Sequence, residues 1–586
     1  MTLLASLWLG ALFLALGPAA AVANWTLQSW DVIVVGAGTA GIIVADRLSE
    51  AGYKTLLLQQ GGNSYGITGG RERPGWLDNT TLSRVDVPGL YSSIFTKESS
   101  LLCKSGQVNA FQACAIGGNS AINAGLYFQP PASDWDDFHP KGWHSADVAN
   151  ATANLLKRQP ALTSYSRDGR YYLQSGYEAA RKWIVEGAGY EDVSFLKQVD
   201  KKDRVFGRPV YNYIDGQRGG PTRTYLQTAL GRKHFHLQTG VQVTYINHVE
   251  GVTSSVVVEL DSGEEKVIKL TKTGRVVLSA GAMLSPRILM FSGIGPRDAL
   301  EKLAAKSVTP YNASSWIVQP EVGKGLFDNP NTFIVLSGPK VESYVYKYDD
   351  PIPADRDLYL ESRSGPYSFA SQTSVFWAHV DHNGTRSGVQ GTVSSAGYRD
   401  FTGNNTITLN VYGTSGLLSS GHVELSDNGH FTARPSAGVY YGHPRDIDTV
   451  ARFIHSLFQH LPPSTPTGPA TDGLTPLNLA QNSTLHEIAR YIADSSNPYA
   501  VGAVQHWSSS CRIGKCVDVD TKVIGTQNIH VVDASILAPL TVNPQFGVMV
   551  AAEKGSERIK ALMKNVTKGL SRTKTGIGAT LKTQEI

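Results

Sequence analysis

The sequence has few of the features that signal a metal, a nucleic acid or a membrane. Only four of its 586 residues are cysteine, in two close pairs, Cys103 with Cys114 and Cys511 with Cys516. Neither pair has the C-x-x-C spacing of a zinc site and no histidine cluster accompanies them, so we expect no metal. The net charge is only +4. Because no long basic stretch with interleaved aromatic residues is present, nucleic acid is not an expected partner.

Long apolar runs are absent except at the amino terminus. Residues 3–16 form an apolar core, and the small residues Ala21-Val22-Ala23 follow as a cleavage site. This pattern predicts a secretory signal peptide over residues 1–23, with an uncleaved membrane anchor as the alternative. No other stretch is long enough to span a bilayer, so we expect no stable membrane association and an extracellular location.

Two further features support secretion. In an oxidising compartment the simplest arrangement of the cysteines is two short-range disulfides, although four cysteines allow three connectivities. Eight Asn-x-Ser/Thr sequons, typical of a secreted glycoprotein, occur at Asn24, Asn79, Asn150, Asn312, Asn383, Asn404, Asn482 and Asn565.

The clearest positive signal is a strand, a glycine turn and a helix near the start of the chain. The apolar run 32–35 is typical of a buried parallel strand and precedes Gly36, Gly38 and Gly41, which fit G-x-G-x-x-G. A helix over about 40–51 then directs its N-terminal amides at a phosphate, and a second strand over 54–58 follows. The order of elements predicts a bound dinucleotide. Gln59 stands where an acidic residue usually meets the ribose, and its amide carries no charge.

The length of the chain predicts two domains, because it exceeds what one simple core accommodates. Residues 275–282 read as a further buried strand, followed by a helix that begins near Ser285 with Pro286 in its first turn. Alternating stretches at 374–380 and 406–411 predict antiparallel strands, and 446–460 an amphipathic helix. The chain then returns to the first domain with a strand at 529–532 and a helix at 547–562.

Several motifs together resemble the glucose–methanol–choline family of flavin oxidoreductases, over about residues 31–562. The most specific match is GAMLSPRILMFSGIG at 281–295. Other stretches are similar to the flavin domain of cellobiose dehydrogenase: LLLQQGG at 56–62, the cysteine pair before residues 116–118, GPTRTYLQTAL at 220–230 and QHW at 505–507.

The resemblance implies FAD, held without a covalent bond, and an α/β fold (α+β overall) with two domains. A Rossmann-like FAD-binding domain would span 24–325, with substrate-domain excursions near 125–220, and would resume at 496–565. A substrate domain built on an antiparallel sheet would span 326–495, and 566–586 would be a disordered tail. The cofactor-binding residues it implies are Gly36, Gly38, Thr39, Ala40, Gly41, Gln59, Gly117, Gly118, Asn119, Ser120, Asn123, Val243, Asp533, Ala534, Pro544 and Gln545.

His506 and Asn543 are the implied catalytic pair. A neutral imidazole can take the proton of an alcohol while flavin N5 takes the hydride, and Asn543 can hold the hydroxyl. We therefore expect oxidation of an alcohol or sugar, with oxygen, a quinone or another acceptor taking the electrons. The alternative is an enzyme of secondary metabolism that uses the same fold for a non-redox cyclisation or dehydration.

Overall fold

The computed structural model describes residues 25–104, 106–462, 473–500 and 502–579. The predicted signal peptide, residues 1–23, lies outside these ranges. Strands and helices are numbered below in chain order. Within the described ranges, none of the helices combines the length and the apolar character that crossing a bilayer requires.

A seven-stranded sheet carries the start and the end of the chain. From edge to edge its strands are β7 (Phe235–Gln238), β2 (Thr55–Leu58), β1 (Ser29–Val35), β10 (Glu265–Leu278), β9 (Val252–Leu260) and β8 (Val241–Val249), and β22 (Ile529–Val531) also pairs with β10. The strands β7, β2, β1, β10 and β22 are parallel, whereas β8 and β9 pair in antiparallel fashion. The predicted parallel sheet is confirmed.

Helices cover this sheet, and the residues of β1 explain why. Val32, Ile33 and Val34 are fully buried, because α1 (Thr39–Glu50) and the long carboxyl-terminal helix pack in the same hydrophobic core. A strand that is buried on both faces needs a continuous apolar run rather than an alternating one. The apolar run at 32–35 therefore indicates that β1 lies in the centre of the sheet.

An eight-stranded sheet forms the second layer. Its order is β20 (Thr475–Pro476), β14 (Pro330–Ser337), β17 (Thr406–Gly413), β16 (Thr385–Ser394), β15 (Gln372–His382), β4 (Val205–Gly207) and β3 (Glu191–Asp192), and β21 (Gly502–Ala503) also pairs with β14. All neighbours are antiparallel except β3 with β4. The strands expected at 374–380 and 406–411 lie in β15 and β17, which confirms the predicted antiparallel sheet.

The two faces of this sheet differ in character. Ile407, Leu409 and Val411 pack in one apolar core with α10 (Pro444–Phe458) and α11 (Leu485–Ala493). The alternate residues Asn410 and Tyr412 point to the other face, where a large cavity lies. Since successive side chains of a strand alternate, one strand serves both the core and the cavity.

Smaller elements complete the fold. The remaining strands are β5 (Tyr213–Ile214), β6 (Gln217–Arg218), β11 (Ile294–Gly295), β12 (Ile317–Val318), β13 (Lys324–Leu326), β18 (Gly421–Leu425) and β19 (Ala433–Pro435). The remaining helices are α2 (Ser93–Thr96), α3 (Ala132–Asp136), α4 (Ser145–Arg158), α5 (Ser175–Arg181), which continues as a π-helix over Lys182–Gly187, α6 (Tyr225–Leu230), α7 (Gly281–Phe291), α8 (Arg297–Ala305), α9 (Pro353–Ser362) and α12 (Gln545–Ala579).

The predicted start of the helix near Ser285 is wrong. Helix α7 begins at Gly281, so Pro286 lies inside the helix rather than in its first turn. A proline at this position cannot donate to the carbonyl of Ala282, one turn earlier. The hydroxyl of Ser510 donates to that carbonyl instead, at 2.6 Å. The helix therefore continues through the proline, because a side chain from the returning segment replaces the missing donor.

The carboxyl-terminal helix and the cysteines also bear on the expectations. Helix α12 runs to Ala579, so the segment expected to be disordered from residue 566 is helical to that point; no proline interrupts it. Residues 580–586 lie outside the described ranges. The disulfides Cys103–Cys114 and Cys511–Cys516 are both formed, with Cα–Cα distances of 4.6 and 4.8 Å, as the short-range arrangement predicted.

Candidate active site

A cavity of about 1030 Å³ lies between the two sheets and brings most of the predicted site residues together. Those that line it are Gly36, Gly38, Thr39, Ala40, Gln59, Gly118, Asn119, Ser120, Asn123, Val243, His506, Asp533, Ala534, Asn543, Pro544 and Gln545. Gly41 and Gly117 do not line it. Among the described residues, no group of three or more histidine, cysteine, aspartate or glutamate side chains is arranged to hold a metal.

The glycine turn after β1 has the geometry that a pyrophosphate needs. Gly36 has a φ of +101°, and a Cβ there would lie 2.6 Å from the carbonyl oxygen of Ser279. Gly38 lines the cavity with no neighbour closer than 3.8 Å to its ideal Cβ, so a ligand can approach its backbone. A Cβ on Gly41 would lie 1.9 Å from the Gly36 carbonyl, so Gly41 serves the packing of α1 rather than the cavity.

Gln59 ends β2 and contacts the same turn. Its side-chain oxygen accepts a hydrogen bond from the backbone N–H of Ala37 at 2.8 Å, and the residue is buried. The carbonyl end of the amide is thereby committed to the protein. Only the NH2 end remains as a donor, whereas an acidic residue would offer acceptors to a ribose.

The glycine-rich loop 115–123 presses against the glycine turn. Within this loop, Gly117 does not line the cavity. Its φ is +96°, and its N–H donates to the Ala37 carbonyl at 2.8 Å. The side chain of Asn123 donates to that of Gln545, and buried Arg218 donates to Asn123 Oδ1 at 2.9 Å. Arg218 was not among the predicted residues, although its guanidinium holds the loop in place.

Asp533 connects β22 to the start of α7. Its Oδ2 accepts from the N–H of Gly281 at 2.9 Å and from the hydroxyl of Ser285 at 2.6 Å. Its Oδ1 accepts from the N–H of Ser535 at 2.9 Å. Burial raises the pKa of Asp533, and these donors oppose that effect. These hydrogen bonds hold the backbone around Ala534 in place. The prediction that Asp533 and Ala534 approach the cofactor therefore depends on the path of this backbone.

His506 and Asn543 lie side by side in the wall of the cavity. The Nε2 atom of His506 lies 3.4 Å from the amide nitrogen of Asn543. The Nδ1 atom of His506 lies 2.8 Å from Oδ1 of Asn329, and the backbone N–H of His506 donates to Asp328 at 2.7 Å. Asn543 accepts from Gln390 at 2.9 Å and donates to the hydroxyl of Tyr412 at 3.3 Å.

Burial controls the ionisation of these groups. Desolvation lowers the pKa of His506 to about 3, so its imidazole is neutral at ordinary pH. This pKa lies well below the ordinary value of a histidine, because the ring is buried and has no anionic partner that would stabilise its cation. Burial also raises the pKa of Asp328 to about 6, against hydrogen bonds from Tyr440 and from the backbone of Gln505 and His506.

Sequence reasoning missed the residues that surround this pair. Asp328, Asn329, Gln390 and Tyr412 come from three different strands or the loops beside them, and only strand pairing brings them to His506. The available signal was the alternation along β17, which separates the cavity-facing positions from the core. Alternation does not say that the outer face of a sheet lines a cavity.

The glycine turn between β1 and α1, open to this cavity, fits an enzyme that holds a dinucleotide cofactor. Comparison with protein families agrees: models of the GMC oxidoreductase family match residues 32–331 and 418–552. The chain belongs to this family. Its cofactor is FAD, and the open backbone at Gly38 and the close contact of the two glycine loops fit that group. It is an FAD-dependent oxidoreductase that acts on CH–OH groups.

Several known proteins are similar to the chain. Pyranose dehydrogenase 2 of Leucoagaricus meleagris is 27% identical over 60% of this chain, and the chain spans 59% of that relative. (R)-mandelonitrile lyase 1 of Prunus serotina is 24% identical, over 86% of this chain and 82% of the relative. A crystal structure of formate oxidase matches with a TM-score of 0.72 at 18% identity, over 92% of this chain and 99% of that one, which shows the fold alone.

The finer resemblance to cellobiose dehydrogenase is not confirmed by these relatives. The family and the mixed α/β fold are confirmed by the family models and by the structural match. Since the relatives differ in the reaction their names state, the family alone does not define the substrate.

Proposed function

We propose that the chain is a secreted FAD-dependent enzyme that oxidises a hydroxyl group of a neutral, hydroxylated substrate such as a sugar or polyol. The observation that carries the proposal is the pair formed by His506 Nε2 and the amide nitrogen of Asn543, 3.4 Å apart at the wall of the cavity. Oxygen, a quinone or another acceptor would then take the electrons.

The chemistry of the pair suits an alcohol. The hydroxyl proton would pass to Nε2 of His506, which burial keeps unprotonated. The N–H of Asn543 would donate to the same oxygen as it acquires negative charge. When bound, FAD supplies the hydride acceptor, which we place at flavin N5. The substrate carbon loses a hydride and its oxygen loses a proton, so a carbonyl compound is the product.

The lining of the cavity supports a neutral, hydrogen-bonding substrate. Strand residues that face it carry amides and hydroxyls: Asn331, Gln372, Thr392, Ser394, Thr408 and Asn410. Of these, the side-chain oxygens of Asn331 and Gln372 are buried without a hydrogen-bond partner. A buried acceptor without a partner is costly, and a substrate hydroxyl would satisfy it.

The charged groups of the lining support the same class. Among the described residues that line the cavity, only Arg287, Arg399 and Asp533 have charged side chains besides the titratable His506. Arg287 donates to backbone carbonyls, Asp533 accepts from protein donors, and Arg399 is exposed. No carboxylate among them is free to bind a cationic substrate.

Two features support secretion. Both disulfides suit an oxidising compartment. The sequon asparagines within the described residues are all exposed: Asn79, Asn150, Asn312, Asn383, Asn404, Asn482 and Asn565. Asn24 lies outside the described ranges. An exposed asparagine is accessible to glycosylation in the secretory pathway.

A non-redox reaction is the second candidate, because a relative named a lyase aligns with most of the chain. A base beside an N–H donor would also serve a proton transfer in a cyclisation or dehydration. The two candidates differ in one observable property. Substrate bleaches the flavin anaerobically in a net oxidation, whereas a cyclase or dehydratase converts substrate with the flavin still yellow and without consuming an electron acceptor.

Anaerobic stopped-flow bleaching of the flavin tests the proposal, with the best substrate from a screen of sugars and alcohols. His506→Ala is expected to slow bleaching roughly 10²–10⁴-fold while FAD stays bound, because a general base is removed. Asn543→Ala is expected to lose less, since one hydrogen bond contributes about 1 kcal/mol. Bleaching of His506→Ala at the parent rate would show that His506 is structural.

A further inference from the structure

Two buried amide side chains stand behind the reacting pair. Asn329 contacts His506 and Gln390 contacts Asn543, and both amides are buried. Each amide also contacts a group that can only donate or only accept. Such a group fixes which end of the amide is nitrogen and which is oxygen.

The carbonyl of Gly413 determines, through Asn329, which ring nitrogen of His506 carries the proton. It accepts from the amide nitrogen of Asn329 at 2.7 Å, so Oδ1 of Asn329 is the end that faces Nδ1 of His506 at 2.8 Å. An amide oxygen only accepts hydrogen bonds, and therefore Nδ1 carries the proton. A neutral imidazole has one N–H, which leaves the lone pair on Nε2.

The indole of Trp377 determines the orientation of the Gln390 amide and, through it, that of Asn543. Its N–H, which only donates, is shared between Oε1 of Gln390 at 3.1 Å and the carbonyl of Thr541 at 3.0 Å, so the end of Gln390 that faces it is the acceptor. The NH2 end of Gln390 then donates to Oδ1 of Asn543 at 2.9 Å. Asn543 is left with its NH2 facing the hydroxyl of Tyr412 at 3.3 Å and Nε2 of His506 at 3.4 Å.

The two chains of contacts agree at the point where they meet. An N–H of Asn543 faces a lone pair on His506, whereas the other tautomer would place two N–H groups against each other there. It would also place a lone pair of Nδ1 against the oxygen of Asn329. Both mismatches would be buried, which is costly.

We propose that Asn329 and Gln390 are positioning residues that impose one acceptor, His506 Nε2, and one donor, the amide nitrogen of Asn543, on the same point of the cavity. An alcohol oxygen needs this polarity, because it gives a proton to one group and accepts a hydrogen bond from the other. The role of the pair in catalysis rests on the proposed function; the tautomer of His506 does not.

The first test reads the tautomer directly. We would label the FAD-loaded protein with 15N-histidine and assign the His506 signals by their loss in His506→Gln. We expect a protonated Nδ1 and an unprotonated Nε2 between pH 5 and 8. A proton on Nε2 overturns the proposal. This measurement needs no folded variant at Asn329 or Gln390, and it gives the tautomer whether or not His506 acts as the base. If His506→Gln does not fold, through-bond assignment in the parent replaces the comparison.

The second test uses the pH dependence of flavin bleaching. Asn329→Asp places an anion beside the imidazole, which favours the protonated ring. The acidic limb of the bleaching rate, where protonation of His506 stops the reaction, is expected to move to higher pH by about one unit or more. The other titratable groups near the ring, Asp328 and Tyr412, are unchanged in this variant. Asn478→Asp is the matched control. Like Asn329, Asn478 donates to a backbone carbonyl, that of Phe333, but its oxygen accepts from the backbone N–H of Val335 instead of a histidine ring.

The control is expected to lose stability while its limb stays where it is in the parent. If the acidic limb of the bleaching rate lies at the same pH in Asn329→Asp, in Asn478→Asp and in the parent, the proposed role of Asn329 is contradicted.

The third test asks whether Gln390 acts through Asn543. In Gln390→Glu, at a pH high enough to ionise the introduced buried carboxyl, that group still accepts from Trp377 but cannot donate to Asn543, so the amide of Asn543 turns its oxygen to the cavity. Bleaching is expected to slow about fivefold, as in Asn543→Ala, because the same hydrogen bond to the substrate oxygen is lost. The same substitution in an Asn543→Ala background should have no further effect. Equal slowing in both backgrounds would show that Gln390 is merely structural.

If His506→Ala bleaches at the parent rate, the proposed function fails. The 15N measurement still decides the tautomer in that case, so the two failures are distinguishable.

Discussion

At the scale of single residues, Gln59 is the departure from the expected cofactor site with the clearest consequence. Its oxygen is held by the N–H of Ala37, so its free end donates. In Gln59→Glu one carboxylate oxygen keeps that bond while the other accepts from a ribose hydroxyl. Charge-assisted hydrogen bonds are stronger by about 1 kcal/mol, so we expect FAD to bind about fivefold more tightly.

Reconstitution of the apoprotein, followed by flavin fluorescence, measures this change. Gln60→Glu is the control, because it adds the same charge one residue further along the chain and should bring no gain. Equal FAD affinity in the parent and Gln59→Glu would mean that the side chain at this position does not contact the ribose.

Asp134 links acidity to stability. It is fully buried and accepts from the N–H and the hydroxyl of Thr541, at 2.8 and 2.6 Å, two residues before Asn543. Burial raises its pKa from 3.8 to about 7, against those bonds and nearby Lys202. Between these values the folded protein holds a proton that the unfolded chain has lost, so this stabilising contribution disappears as the pH rises through that range.

Asp134→Asn cannot lose a proton. We therefore expect the variant to gain stability relative to the parent as the pH rises from 5 to 7, by up to about 1.4 kcal/mol per pH unit. Chemical denaturation at both pH values measures the difference. A constant difference between the two proteins would be inconsistent with a proton held by Asp134.

At the scale of elements, helix α7 depends on a bond from outside itself. Ser510→Ala removes the donor to the Ala282 carbonyl and leaves that acceptor buried without a partner, which costs about 1–3 kcal/mol. Ser456→Ala is the control: its hydroxyl donates to the Phe453 carbonyl within a helix, and we expect a change near zero. Urea unfolding compares the two. Equal losses would contradict a special role for Ser510.

The same element shows what the sequence could and could not predict. The strand, glycine turn and helix at 32–50 were predictable, because their pattern is local and each glycine has a steric reason. The start of α7 was not, since the donor that lets Pro286 lie inside a helix comes from residue 510. Asn329 and Gln390 were also out of reach, because they meet His506 and Asn543 only through the register of β14, β17 and β16.

At the scale of the whole molecule, exposure of the sequons makes a further prediction. Seven sequon asparagines in the described residues are exposed. Protein secreted from a eukaryotic host should therefore lose mass on treatment with an endoglycosidase, and its flavin content should stay the same because none of the seven lines the cavity. An unchanged mass would contradict passage through the glycosylating compartments.

The pairing of β22 with β10 has a consequence for how the protein is made. Residue 276 pairs with residue 529, so the parallel sheet lacks one of its strands until the segment around residue 529 has been made. His506, Asp533 and Asn543 also leave the ribosome long after the glycine turn at 36–41. A nascent chain carries the glycine turn early but lacks the segment that encloses the cavity. We therefore expect FAD to bind only after this segment has been made, so chains that end before residue 529 should carry no flavin.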